Sequence, residues 1–341
     1  MSNRAAIIPA AKSPLEIHDV DKYDPGSGEI LVKNTSIAFN PIEWKVARLA
    51  MVPLEYPNIL GNSFGGTVEA VGPDVSNFQV GDKVAIHRSA TPAGAKYGAF
   101  QLYALGQVSN AVKIPDEVDI DTASSIILNF KTAASVLTGT AGLDRPSVDE
   151  VPSKGKKVLV YGGTSSLGAL AIQYATQAGY SVVSTTSPKH NSFVSTLGAT
   201  KLVDHIQSAD AIRKALIAEG PYEVIFDTIS LPPTVAILAD VVKSQGGGTF
   251  YTTQPPFGPE SLPEGVKRVF APFALLLDQP QHKDLVQYLA NEYLPRALAE
   301  KRLTSIPIEK VKGGISKIDD VLTRGFGGTS GVKLVLNPWE N

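Results

Sequence analysis

The chain has 341 residues, with 31 Lys and Arg set against 33 Asp and Glu, and 43% of its residues are hydrophobic. That is the make-up of a globular protein long enough for two domains, and without a basic run it offers nothing to hold a nucleic-acid backbone. Cysteine is absent, which excludes disulfides, thiolate catalysis and cysteine-ligated zinc together.

Met1 to Pro9 lacks the apolar run of a secretory signal, and no stretch approaches the ~20 apolar residues of a membrane span. A cytoplasmic protein with no membrane or nucleic-acid partner is expected. Up to about residue 125 the chain carries short β-patterns, at Glu29–Lys33, Gly66–Val71 and Lys83–Ile86. Turn signals such as Pro25-Gly26-Ser27-Gly28 and Gly72-Pro73-Asp74 separate them. From about 126 the pattern changes to α/β alternation. Strands are predicted at 157–161, 180–186, 201–204, 223–227 and 247–252, and helices at 166–178, 189–197, 208–219 and 232–243, the order of a parallel sheet covered on both faces. Pro255 to Pro263 is too rich in proline to pair in a sheet and reads as a long loop. Ile315–Leu322 then reads as an amphipathic helix, and Gly331–Leu336 as a strand that rejoins the first domain. The expected domains are 1–125 with 300–341, and an inserted 126–299.

Tyr161-Gly162-Gly163-Thr164-Ser165-Ser166-Leu167-Gly168 lies between the apolar run Val158–Val160 and the periodic stretch Leu170–Ala175, so it reads as strand, glycine turn and helix. Such a turn faces backbone N–H groups and the positive end of a helix dipole toward a pyrophosphate. Gly163, Thr164, Ser165, Ser166 and Leu167 are the candidate contacts, although Ser165 stands where the usual fingerprint has its second glycine. The following strand ends in Thr186-Ser187-Pro188-Lys189-His190-Asn191, without the carboxylate that holds the ribose 2′-hydroxyl of NAD. Ser187, Lys189 and His190 suit a 2′-phosphate, so NADP is the expected cofactor. Ser187 equally suits an N-cap and Pro188 a first helical position.

Leu60-Gly61-Asn62-Ser63-Phe64-Gly65-Gly66-Thr67-Val68-Glu69-Ala70-Val71-Gly72, followed by Phe78-Gln79-Val80-Gly81-Asp82-Lys83-Val84, resembles the signature of the medium-chain dehydrogenase/reductase superfamily. Gly98–Ala104 and the glycine turn extend the resemblance over nearly the whole chain. It implies an α/β fold, a Rossmann doubly wound parallel sheet plus a GroES-like, partly open β-barrel catalytic domain. Asn62-Ser63 after Gly61 replaces the His-Glu pair of the superfamily's zinc alcohol dehydrogenases, and the five histidines are scattered, so no metal is expected. By resemblance the branch is that of the zinc-free quinone oxidoreductases and the fungal trans-acting enoyl reductases.

Asn40-Pro41-Ile42-Glu43-Trp44-Lys45 resembles the Asn-Pro-x-Asp-Trp-Lys motif of that fungal branch, with Glu43 for the usual Asp. The resemblance implies that this segment lines the nicotinamide site, with Asn40 and Lys45 as catalytic candidates and Trp44 and Lys45 beside the cofactor. Packing is the other reading of Trp44. Asn129–Ala133 aligns with a Thr-Ala at the start of the helix that enters the cofactor domain, which makes Thr132 a third catalytic candidate. Cofactor contacts are also implied at His205, at Thr228, at Thr252 and Thr253 through backbone groups, and at Ser330 and Lys333 beside the phosphates. Asp227 reads as a buried helix cap, and Tyr56, Tyr97 and Tyr103 as candidate proton donors. The implied reaction is conjugate hydride transfer from NADPH to an enone or an enoyl thioester, a small-molecule substrate that is free, carrier-bound or coenzyme A-bound. Quinone reduction and NADPH binding without turnover are the alternatives, and monomer and homodimer are both open.

Overall fold

The computed structural model describes residues 2–88, 94–329 and 331–340. The chain divides into two compact units, 1–128 with 286–341 and 129–285. Strands β1 (Asn3–Ile8), β2 (Glu16–Val20), β3 (Glu29–Ala38), β4 (Asn58–Ile59), β5 (Ser63–Val71), β6 (Lys83–His87), β7 (Tyr103–Gln107) and β8 (Ala111–Lys113) belong to the first unit. The second holds β9 (Lys157–Tyr161), β10 (Ser181–Thr186), β11 (Ala199–Asp204), β12 (Val224–Asp227), β13 (Gly248–Thr252) and β14 (Val266–Phe270). The chain then returns to the first with β15 (Ile308–Val311) and β16 (Lys333–Leu336). The helices are α1 (Pro41–Leu49), α2 (Ile120–Ala134), α3 (Ser166–Gln177), α4 (Asn191–Thr196), α5 (Ala209–Glu219), α6 (Pro232–Ser244), α7 (Phe273–Leu276), α8 (Lys283–Tyr288), α9 (Leu294–Ala299) and α10 (Ile318–Phe326).

In the first unit β3 is the spine, pairing antiparallel with β5, β7 and β16. Its register against β5 slips between Leu31 and Val32 and again between Asn34 and Ser36; such bulges bend a strand and increase its twist. The core beneath includes Ile30, Val32, Phe39, Phe64, Phe100 and Leu334. α1 starts after the N-cap Asn40, with Pro41 at the first helical position, where a missing N–H costs nothing, and Ala50 ends it in the left-handed conformation at φ 54°. Its buried face packs on α10, where a β-carbon at Gly325 would stand 2.4 Å from the Trp44 ring. Residues 289–299 belong to this unit, ahead of the expected boundary at 300, because α9 and the π-helical turn before it pack on β8.

The second unit is a six-stranded sheet in the order β11-β10-β9-β12-β13-β14, every pair parallel. This is the doubly wound order, reversing at β9. β9 reads Lys-Val-Leu-Val-Tyr and β12 Val-Ile-Phe-Asp, both buried nearly end to end, as strands covered on two faces must be. Its core includes Leu159, Ile212, Leu216, Ile225, Leu238 and Phe250. The predicted strands are present with ends moved by a residue or two. The predicted helix at 189–197 instead begins as a 3-10 turn, Pro188–His190, and α4 spans only Asn191–Thr196. Beyond the proline-rich loop the chain returns to the sheet as β14, a strand the sequence reading did not contain.

Candidate active site

At the end of β9 the chain turns through Gly162, whose φ of +94° suits glycine and whose β-carbon would meet Ile229 Cδ1 at 2.7 Å. Gly168 is required by close approach, since a β-carbon there would lie 2.1 Å from the Gly162 carbonyl oxygen. The turn is tied to β10: Gly162 N–H donates to Thr185 Oγ1 at 2.9 Å and Gly163 N–H to the Thr185 carbonyl at 2.9 Å. Ser165 is the N-cap of α3, accepting the Gly168 N–H at 2.8 Å, and its Oγ lies 2.8 Å from Thr228 Oγ1. Because the Thr228 hydroxyl donates to the Tyr161 carbonyl at 2.8 Å, the Ser165 proton goes to Thr228. Both hydroxyls are therefore used within the turn, and Ser166 Oγ accepts from Asn129 Nδ2 at 2.9 Å. What faces outward for an anion is backbone: the Ser166 and Leu167 N–H groups, in the first turn of α3, have no helical carbonyl to bond.

Around the end of β10 the expected phosphate-binding groups gather. Ser187 is buried and makes no capping bond, Lys189 is exposed, and His190 is half-buried with its Nε2 buried and unbonded. The His205 N–H donates to the Thr186 carbonyl at 3.2 Å, which sets this exposed residue beside the same strand end. The nearby carboxylate of Asp204 accepts the Ile206 N–H at 2.9 Å.

Asp227 is fully buried at the end of β12. It accepts N–H groups from Ile229 at 3.0 Å and Ser230 at 2.8 Å, and the Thr234 hydroxyl at 2.6 Å, so it organises the entry to α6. Burial pushes its carboxyl up against the pull of those bonds, and burial together with the Asp227 charge raises the Tyr161 hydroxyl to about 12. Ser230, at φ +60°, donates to the Asp227 carbonyl at 2.8 Å and accepts the Thr253 N–H at 2.8 Å. The Thr253 N–H is thus bonded to Ser230, which leaves its carbonyl as the backbone group for the expected contact with the nicotinamide carboxamide. Thr252 is fully buried, and its Oγ1 accepts from Arg268 Nε at 3.0 Å. Arg268 also donates to the Gln254 carbonyl at 2.7 Å and pairs with Glu260. Sequence reasoning missed Arg268 because its strand was not expected; the only signal is a lone arginine just past the proline-rich loop.

In the first unit the buried Asn40, Glu43 and Lys333 form a polar cluster with the half-buried Asn62. The Glu43 carboxylate accepts the Asn40 N–H at 2.5 Å and both the N–H and the side-chain amide of Asn62, at 3.0 and 2.9 Å. Burial pushes Glu43 up, while the Asn62 amide and the Lys333 charge hold it down. Lys333 Nζ donates to Asn40 Oδ1 at 2.6 Å, and burial lowers this ammonium to about 8. The residue is 3% exposed and strand β16 is buried along its whole length, so the Lys333 ammonium meets Asn40 inside the first unit. Arg88 donates to the carbonyls of Ile59 and Gly94, each at 2.9 Å, and feels the Glu43 charge. Lys45, in the second turn of α1, is half-buried, and desolvation pulls it below the usual lysine range.

Trp44 is packing against Gly325. Thr132 lies in the last turn of α2 and not at a helix start, because α2 begins at Ile120. Ser330 lies outside the described residues. The Tyr97 hydroxyl donates to Glu29, and Tyr103 is buried against Trp339. Among the described residues no three His, Asp or Glu side chains cluster as metal ligands.

Residues 26–116 match the alcohol dehydrogenase GroES-like domain. A trans-enoyl reductase of Aspergillus japonicus is 32% identical, over 98% of this chain and 97% of its own. The chain belongs to the medium-chain dehydrogenase/reductase superfamily. It is an oxidoreductase, and the trans-enoyl reductases are among its relatives. A Pseudomonas syringae quinone oxidoreductase has the same superfamily fold, with a TM-score of 0.78 at 23% identity over 99% of this chain and 100% of that one. A mycobacterial protein solved with NADPH has it as well, with a TM-score of 0.75 at 23% identity over 98% and 100% of the two chains.

Proposed function

We propose that this protein is an NADPH-dependent reductase that saturates the activated carbon–carbon double bond of an enone or enoyl thioester without zinc. The observation that carries the reading is the second unit's glycine turn and capped α3, followed by a β10 end that holds a hydroxyl, an ammonium and two imidazoles. The glycine turn fits a pyrophosphate because it lets the chain enter α3 tightly and leave the first N–H groups of the helix to an anion: Gly162 takes φ +94° and a β-carbon at Gly168 would strike the Gly162 carbonyl. The unbonded His190 Nε2 fits a 2′-phosphate oxygen. The likeness to a trans-enoyl reductase over 98% of the chain supports the substrate class.

When bound, the nicotinamide supplies the hydride. The chain's own part is to hold the pyrophosphate on the Ser166 and Leu167 N–H groups and the 2′-phosphate on Ser187 and Lys189. As hydride reaches the β-carbon, the electron pair of the double bond moves onto the carbonyl oxygen, where the Lys45 ammonium stabilises the enolate. Water then protonates the α-carbon; the Tyr97 hydroxyl is committed to Glu29. Deuterium from labelled NADPH should appear at the β-carbon of an enone, and Lys189→Ala should weaken NADPH against NADH by roughly 1.5–3 kcal/mol, tenfold or more. Reduction of quinones alone, or NADPH binding without oxidation by any enone or quinone, sinks the reading.

A further inference from the structure

Lys333 is a cation on a strand buried from end to end, with one hydrogen bond, to a neutral amide, and among the described residues no carboxylate within ion-pair distance. A buried ammonium so placed works against stability, and an apolar side chain of the same length is often the more stable choice. Its bond has a geometric effect. The Asn40 amide uses its Nδ2 on the Ala38 carbonyl at 3.2 Å and on Glu43 at 3.4 Å, two acceptors that fix where the nitrogen points. Lys333 donates to the other end, at Oδ1, which also faces the Glu43 N–H in the capping box of α1. Asn40 in turn gives its backbone N–H to Glu43, whose carboxylate reaches Asn62 on the turn before β5. The first turn of α1 is clamped this way, and its last turn by Arg48, which donates to Asp319 at 2.7 Å and Thr323 at 3.0 Å. Lys45 lies between the two clamps.

We propose that Lys333 is a positioning residue: through Asn40 and Glu43 it locks the start of α1 and so sets the place of the Lys45 ammonium. This rests on the reading of Lys45 as the group that meets the substrate oxygen. The charged groups facing Lys333 are Glu43 on α1 and, across Glu43, Arg88 after β6. Its pairing partner on β15 is Ile308 and the nearest paired position on β3 is Ala38, both apolar, while Asp319 of α10 is bound to Arg48.

The test uses the full chain with Lys333→Met, Asn40→Ala and the double variant. The measurements are enone turnover at saturating NADPH, NADPH dissociation constant by fluorescence, and the acetylation rate of Lys45 by mass spectrometry. The expected result is a turnover at least about tenfold lower in Lys333→Met with NADPH affinity within about twofold of wild type, no further loss in the double variant, and a Lys45 labelling rate changed several-fold. The wild-type rate should fall above about pH 8, where Lys333 loses its proton, and Asn40→Asp, which gives Lys333 a carboxylate partner, should move that limb upward. NADPH affinity lost tenfold with turnover restored at saturation makes Lys333 a phosphate ligand and overturns the proposal. A changed melting temperature with turnover, labelling and pH limb unaltered overturns it too, as does an unmoved limb in Asn40→Asp should Lys333→Met fail to fold. If wild type turns over no enone, the reductase reading has failed, and Lys45 labelling alone decides this one.

Discussion

Glu43 reaches two segments at once because it is one methylene longer than an aspartate. One oxygen closes on the Asn40 N–H and the other on Asn62, so Glu43→Asp must surrender one set and leave buried donors unpaired. The expected loss is about 1–3 kcal/mol, read from urea unfolding. Lys333 gives a sign that can be checked. Its folded value of about 8 lies below the ordinary 10.5, so the burial penalty is complete below pH 8 and relieved as pH rises toward 10.5, where the unfolded chain still binds the proton. Wild type should therefore gain stability over Lys333→Met between those values, by roughly 3 kcal/mol at about 1.4 kcal/mol per pH unit, measured by denaturation at pH 7 and pH 10. Neither contact could be read from the sequence. Asn40 and Lys333 are 293 positions apart, and a single lysine carries no local mark of burial, whereas Gly162 and Gly168 are legible because the turn that needs them is local.

Strands β9, β10, β12 and β13 were legible for a reason of the same kind. A parallel strand covered on both faces must be a short apolar run, and Val-Leu-Val and Val-Ile-Phe announce themselves. β14 did not, because an edge strand tolerates cations, and Lys267 and Arg268 interrupt its pattern directly after the prolines. α1 was hidden as well: it has nine residues, and its buried face includes the acid Glu43. Arg268 has its own consequence at this scale. Its bonds to Glu260, Gln254 and Thr252 pin the proline-rich loop to the sheet, so Arg268→Met should lower the protection of 255–263 by roughly 1–3 kcal/mol. Faster proteolytic cleavage near the exposed Phe257, with hydrogen exchange in β9 and β12 unchanged, is the expected reading; no change in cleavage would mean that the prolines alone hold the loop.

Each unit has a core of its own, so cofactor binding can be assigned by where it protects. NADPH at about a hundred times its dissociation constant adds roughly 2.7 kcal/mol to the folded state, and hydrogen exchange should show that protection in β9, β10 and the first turn of α3. Dialysis against a chelator should leave enone turnover unchanged, with no stoichiometric zinc by elemental analysis; activity lost on chelation and regained with zinc would reverse the metal-free reading. The GroES-like signature and the glycine turn made the fold legible at this scale, because each is a contiguous stretch of chain. The insertion has one more consequence, in the order of synthesis. Residues 129–285 are contiguous and leave the ribosome as a finished sheet, but β3 must wait for β16, its antiparallel partner at Ile37 and Ala38, until residues 333–336 have been made. During that interval the Asn40 amide has no ammonium to meet and one edge of β3 stands open, so the first half of the protein is the part a chaperone or a protease encounters unfinished.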